Sequence, residues 1–150
     1  MKSLNSLYGW LHDEGVILIS RPLPFSNPET AASTITIDGT GACGIFLDTD
    51  HIASLAEEKV VMFHEGGHYA TGAMHKVASK FDLIEKHENK ADKWAIQQVL
   101  SADDLDQAVA DGCEDIWSLA EYFGVTPDFA RKAVCLYTYG NLDCTDYLPI

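Results

Sequence analysis

Basic residues are scarce in this chain: ten Lys and Arg stand against 23 Asp and Glu, for a formal net charge of −13 at pH 7. A phosphate backbone repels such a surface, and no local basic patch offsets it, so direct nucleic-acid binding is not expected. The acidity favours solubility and, as a sharper reading, basic partners. Long apolar runs are missing too. The run Val16 to Ile19 is strand-sized, whereas a membrane span needs about 18 such residues or more. The N-terminus has no basic stretch leading into an apolar one, so no secretory signal is expected. The four cysteines, Cys43, Cys113, Cys135 and Cys144, form no C-x-x-C pair. Without an export signal they read as reduced thiols of a cytoplasmic protein rather than as two bridges. No internal repeat, linker or low-complexity segment interrupts the 150 residues, of which 47% are hydrophobic. That is enough for a single domain over 1–150 with a core of its own.

Periodicity and punctuation divide the chain into two halves. Leu4, Leu7, Tyr8 and Leu11 recur at helical spacing, which predicts an opening helix to about Glu14 that stops at Gly15. Val16 to Ser20 reads as a strand, and RPLPFSNPE from Arg21 as a proline-broken loop. Ser33 to Ile37 is rich in β-branched residues, Asp38-Gly39 is a turn signal, and Ala42 to Leu47 returns as a strand. From Ser54 the pattern turns helical. Ser54 with Glu57 is a capping-box signature, and the helix it starts runs to about Ala70. Further helices are expected from about Leu83 to Leu100, from Ser101 to Gly112, over Ile116 to Phe123, and from Thr126-Pro127 onward. The fold class is therefore α+β: a small N-terminal antiparallel sheet followed by a C-terminal helical bundle.

One stretch carries chemistry: VVMFHEGGHYATG, Val60 to Gly72. Two adjacent glycines inside a helix cost about 1 kcal/mol each relative to alanine. HEGGH fits H-E-x-x-H. Residues four apart share a helix face, so His64 and His68 can bind one zinc ion, with Glu65 beside them as a general base. A hydrolytic zinc site wants a third protein ligand and an open fourth position. His75 is one candidate, but the metzincin pattern H-E-x-x-H-x-x-G-x-x-H requires glycine at 71 and histidine at 74. The chain has Thr71 and Met74, with Gly72 and His75 each one residue late. Glu88 is the other candidate. At 100° per residue, Ile84, Ala91, Ala95 and Val99 fall within about 60° of it, while Lys86, Lys90, Lys93 and Gln97 gather opposite. Glu88 and Asp92 then lie on the buried side of an amphipathic helix, where bare carboxylates need a cation or strong donors. Zinc would satisfy Glu88, and Asp92 would accept the N–H of a zinc-bound imidazole. On the histidine helix, Met62, Phe63, Gly66, Ala70 and Ala73 fall away from the ligand face. Gly66 is thus expected to admit another backbone behind the site, and Gly67 to keep space beside the metal or substrate.

His64-Glu65-x-x-His68 followed by Glu88-x-x-x-Asp92 resembles the gluzincin arrangement of thermolysin-like enzymes. HEGGHY and the later ENKADKWA are similar to the ImmA/IrrE family of small metallopeptidases, which show H-E-x-G-H and then E-x-x-A-N-x-F-A. Asp92 stands for the asparagine and Trp94 for the phenylalanine. GVILISRPLP and SLAEYFGVTPDFARKAV resemble short phage or mobile-element members, so the likeness runs from about Leu4 to Leu136. It implies a minimal zincin-like fold and a zinc-dependent endopeptidase with Zn2+ on His64, His68 and Glu88, Glu65 as base, and Asp92 behind the ligands. It also implies a protein substrate such as a phage or mobile-element repressor. The contrasting reading is a non-catalytic regulatory module that binds protein and keeps a structural zinc; the intact Glu65 favours the enzyme.

Other residues carry weaker signals. SLAEYFGVTPDFARKAV also resembles half of a helix-turn-helix, but six acidic residues against Arg131 and Lys132 from Cys113 onward favour a packed helical hairpin. Trp10, Trp94 and Trp117 read as core or cleft-edge packing, and His12 and His51 as surface histidines. A donor for transition-state charge is needed. Tyr69, His75, His87, Tyr122, Tyr137 and Tyr139 have suitable chemistry, and the sequence does not choose among them.

Overall fold

The computed structural model of the protein describes residues 2–23, 29–36, 40–73 and 81–144. Helix α1 spans Leu4–Asp13, strands β1, β2 and β3 span Ile17–Arg21, Ala32–Thr36 and Cys43–Asp48, and a 3-10 turn covers Thr49–His51. Helices α2 (Leu55–Thr71), α3 (Phe81–Val99), α4 (Ala102–Ala110), α5 (Ile116–Phe123) and α6 (Pro127–Tyr139) follow. The α+β expectation holds, and each expected element is present to within a few residues. The Asp38-Gly39 turn and His75 lie outside the described residues.

The sheet is mixed. Its order is β1-β3-β2. β2 pairs antiparallel with β3, Thr34 opposite Ile45, as the turn signal implies. β1 pairs parallel with β3, Ile17 opposite Gly44. The reason lies in β3, the most buried strand, with Cys43, Ile45 and Leu47 all in the core. A strand so apolar takes the middle position, and β1 covers its second edge.

The helix ends follow side-chain chemistry. The Ser54 hydroxyl accepts the Glu57 N–H at the start of α2, and Gly72 ends that helix in the left-handed region at φ 62°, a conformation that favours glycine. Ser101 and Asp104 form a reciprocal capping box on α4, and Thr126 with Pro127 opens α6. α5 and α6 form a packed pair that turns Leu119, Ala120, Phe123, Phe129, Ala130 and Ala133 into the core. Lys59 of α2 is buried, and its Nζ donates to the Phe123 carbonyl at 2.7 Å, at the carbonyl end of α5.

The sheet, expected to be antiparallel, is mixed because β1 pairs parallel. Two further expectations are corrected. Trp117 is not packed: it is 72% exposed, because α5 presents its other side, Leu119, Ala120 and Phe123, to the core. The cysteines are not all reduced thiols. Cys135 and Cys144 are joined, with their Cα atoms 5.5 Å apart, a separation typical of disulfides. Spacing alone does not reveal the pair, because it forms only when the chain turns at Gly140 after α6. The bridge links residues nine apart in sequence. Reduction with dithiothreitol is expected to lower the unfolding free energy by about 2.5 kcal/mol, the chain-entropy value for so short a loop. Identical urea midpoints with and without reductant would contradict this.

Candidate active site

α2 and α3 cross where Gly67 meets Ala91. A Cβ placed on Gly67 would lie 2.6 Å from the Ala91 carbonyl oxygen and 2.9 Å from its Cα. Gly66 instead faces side chains: its Cβ would lie 3.2 Å from Leu7 Cδ1 and 3.4 Å from Trp94 Cζ3. Both expected roles are corrected. Gly67 admits the neighbouring backbone, and Gly66 seats the Trp94 ring, which packs against Trp10 at 5.5 Å between centroids. The helical phase shifts by only one residue between the two positions, and the sequence does not say from which side α3 arrives.

This close crossing brings a short carboxylate side chain to the histidines. Glu88 stands one turn before Ala91, and its Oε2 is 2.8 Å from His64 Nε2, while its Oε1 is 3.2 Å from His68 Nε2. The two Nε2 atoms are 3.1 Å apart. His64, His68 and Glu88 each offer one ligand atom within a span of 4.8 Å. A tetrahedral ion with bonds of about 2.0–2.1 Å spaces its ligands by about 3.3 Å, so the set fits a metal after small adjustments.

The outer nitrogens are already committed. His64 Nδ1 donates to Asp92 Oδ1 at 2.6 Å, and His68 Nδ1 donates to the Ala73 carbonyl at 2.7 Å. In this assignment both Nε2 atoms are left as acceptors facing the same point, as metal ligation needs. Lys132 of α6 in turn donates to Asp92 Oδ2 at 2.9 Å. Ala91, Ala95 and Val99 are fully buried beside these carboxylates, and Lys86, Lys90, Lys93 and Gln97 are exposed, as the helical phase implies. The lysine that does pair with Asp92 comes from another helix forty residues on, so no pattern within α3 could have found it.

The titration directions describe a site built around positive charge. Burial alone would lower the His64 pKa, but the hydrogen bonds that Asp92 and Glu88 accept from it outweigh burial and carry it up to about 10. His68 is likewise raised against the effect of burial, chiefly by Glu88 and the Ala73 carbonyl. The two imidazoles hold the Glu88 carboxyl well below its usual range. Burial pushes Asp92 up, but His64 and Lys132 overcome it and leave it lowered. A bare cation at the Nε2 atoms would satisfy the same carboxylates that the imidazolium protons satisfy without metal.

The triad opens into a cleft of about 400 Å³. Thr30, Ala32, Ser33 and Thr34 form one wall, and His64, Glu65, His68 and Glu88 the other. Glu65 is 8% exposed and shares the cleft without belonging to the ligand triad. Its carboxylate accepts the Thr34 hydroxyl. Among the described residues the expected transition-state donors do not gather here. Tyr69 donates to Glu14 at 3.1 Å, Tyr122 to Asp111 at 2.7 Å, and Tyr137 to the Leu100 carbonyl at 2.6 Å. His87 and Tyr139 are not part of its walls either. Within the described residues the hydroxyls of the cleft come from Ser33 and Thr34 of β2, a strand identified in the sequence only as part of the sheet, and from Thr30 just before it.

Two imidazoles, a carboxylate and a separate glutamate around one open point are what a metallopeptidase requires. The model of the Peptidase_M78 family, described as the IrrE N-terminal-like domain, matches residues 21–134, and the chain belongs to that family of metallopeptidases. Neither a curated protein nor a solved structure matches it. The resemblance drawn from HEGGHY and ENKADKWA is thereby borne out. A peptidase family implies a protein substrate. Among the described residues no helix is long and apolar enough to cross a membrane.

Proposed function

We propose that this chain is a zinc-dependent endopeptidase that cuts a specific regulatory protein, such as the repressor of a phage or mobile element, as a single domain over 1–150. The observation that carries the proposal is the convergence of His64, His68 and Glu88 within 4.8 Å, with Glu65 in the same cleft. Two nitrogens and one oxygen suit zinc, and three protein ligands leave the fourth position to water or substrate. When bound, the ion supplies Lewis acidity, polarising the scissile carbonyl and acidifying water.

The chain's own residues do the rest. His64 and His68 present Nε2 because Asp92 and the Ala73 carbonyl hold Nδ1. Glu65 takes the proton of the attacking water and returns it to the leaving amine nitrogen. The low exposure of Glu65 keeps competing water away from that transfer. The wall from Thr30 to Thr34 orients the substrate segment across the histidines.

The test is co-expression of the protein with candidate regulators, with fragments read on gels and zinc measured on the purified chain. Cleavage that depends on zinc supports the enzyme. Binding of the regulator without cleavage, with zinc retained, would instead support the regulatory module. That reading is the weaker one here, because a structural zinc is closed by four protein ligands and the described residues gather three.

Asp92→Ala is expected to weaken zinc affinity about 10- to 100-fold, because His64 loses the partner that sets its tautomer and orientation. Competition with a chromogenic chelator measures this. An unchanged affinity would reduce the 2.6 Å contact between Asp92 and His64 to a surface ion pair.

A further inference from the structure

Thr34 lies near the middle of β2, its position set by pairing with Ile45 of β3. Its hydroxyl reaches two acceptors on one residue: carboxylate Oε2 of Glu65 and, at 3.2 Å, the Glu65 backbone carbonyl. The neighbouring imidazoles have other partners, since His64 is bonded to Asp92 and Glu88, and His68 to Ala73. A glutamate has three rotatable bonds, and one carried on a helix facing a cleft needs an outside contact to hold a single rotamer. Threonine is suited to provide it, because its branched Cβ leaves χ1 stiff and the sheet holds its backbone.

We propose that Thr34 is the positioning residue for Glu65: it holds the carboxylate by Oε2 and so turns Oε1 toward the attacking water. This deepens the reading of Glu65 as the general base and rests on it. During attack the water oxygen bonds to the scissile carbon and one of its protons passes to Glu65 Oε1. When the C–N bond breaks, that proton passes from Oε1 to the amine nitrogen. Thr34 keeps its own proton throughout. It has one O–H and two acceptors in reach, so it donates to Oε2 while Glu65 is a carboxylate and to the backbone carbonyl while Glu65 is protonated. Neither state leaves its donor unsatisfied.

The contact is testable without turnover. Acetohydroxamate chelates zinc and passes its proton to an adjacent carboxylate, so its affinity for the zinc-loaded protein reports where Glu65 points. Thr34→Val keeps the shape and removes the hydroxyl. It is expected to retain one zinc and the wild-type melting temperature, and to weaken acetohydroxamate about 10-fold. Thr34→Ser should bind within about twofold of wild type, and Thr34→Val should add no further loss in a Glu65→Gln background. If Glu65→Gln weakens the probe but Thr34→Val does not, the positioning role is overturned and the base reading stands. A Thr34→Val loss that persists in full with Glu65→Gln would equally overturn it, since the effect would then come from the cleft wall. If Glu65→Gln binds the probe like wild type, or the chain takes up no zinc, the base reading falls and this proposal with it.

Discussion

Glu65→Gln is expected to reduce cleavage of the cognate protein by about 10²- to 10⁴-fold, the usual contribution of a general base, while zinc content and melting temperature stay nearly unchanged. Glutamine keeps the length and helix propensity of glutamate and can still accept the Thr34 hydroxyl through its carbonyl. It cannot take a proton from water at neutral pH. Zinc should remain because Glu65 stands outside the His64, His68 and Glu88 triad. Fragment yield from co-expressed regulator, alongside metal analysis of the same preparations, separates the two effects. Equal fragments from wild type and variant would mean that host proteases do the cutting. Loss of zinc in the variant would place Glu65 among the ligands.

Gly67→Ala should be the most damaging single methyl group in the protein. The added Cβ would meet the Ala91 carbonyl oxygen at 2.6 Å and its Cα at 2.9 Å, so α2 and α3 must separate. Backbone cannot rotate aside as a side chain does. Overpacking of this kind costs typically 1–3 kcal/mol and sometimes more, while the better helix propensity of alanine returns about 1 kcal/mol. Contact with backbone puts the cost at the upper end, so a net loss of about 2 kcal/mol is expected, or roughly 4–8 °C in melting temperature for a chain of this size. Zinc affinity should fall with it, because Glu88 rides on the helix that is displaced. Gly66→Ala is the control. Its Cβ meets the ends of the Leu7 and Trp94 side chains, which can shift, so its melting temperature should stay within about 3 °C of wild type. If the two variants melt alike, the close crossing does not hold the site together.

The candidate ligand cluster was legible because metal chemistry imposes spacings that survive in a single sequence. His64 and His68 sit one helical turn apart, and Glu88 and Asp92 occupy an otherwise apolar stripe, so each pair advertises a shared face. Helix ends were legible for a similar reason: Ser54, Ser101 and Thr126 each satisfy amides a few residues away. What stayed hidden is long-range. Lys132 reaches Asp92 from another helix, Thr34 reaches Glu65 from the sheet, and Cys144 returns to Cys135 around a turn. None of these leaves a local period. The glycine pair shows the boundary between the two kinds of information. Its cost inside a helix announces a reason for it, but which glycine faces the neighbouring backbone depends on the direction from which α3 approaches. The parallel pairing of β1 was hidden in the same way, since it follows from which strand needs both edges covered.

The central claim is that one zinc ion sits between His64, His68 and Glu88. Anomalous diffraction from crystals of the zinc-loaded protein, recorded on both sides of the zinc absorption edge, tests it most directly. The account predicts one peak per chain, bonded to Nε2 of both histidines and to a Glu88 oxygen at about 2.0–2.2 Å, and no peak there in Glu88→Ala. A peak centred on other residues, or a Glu88→Ala protein that keeps the full peak, would contradict it.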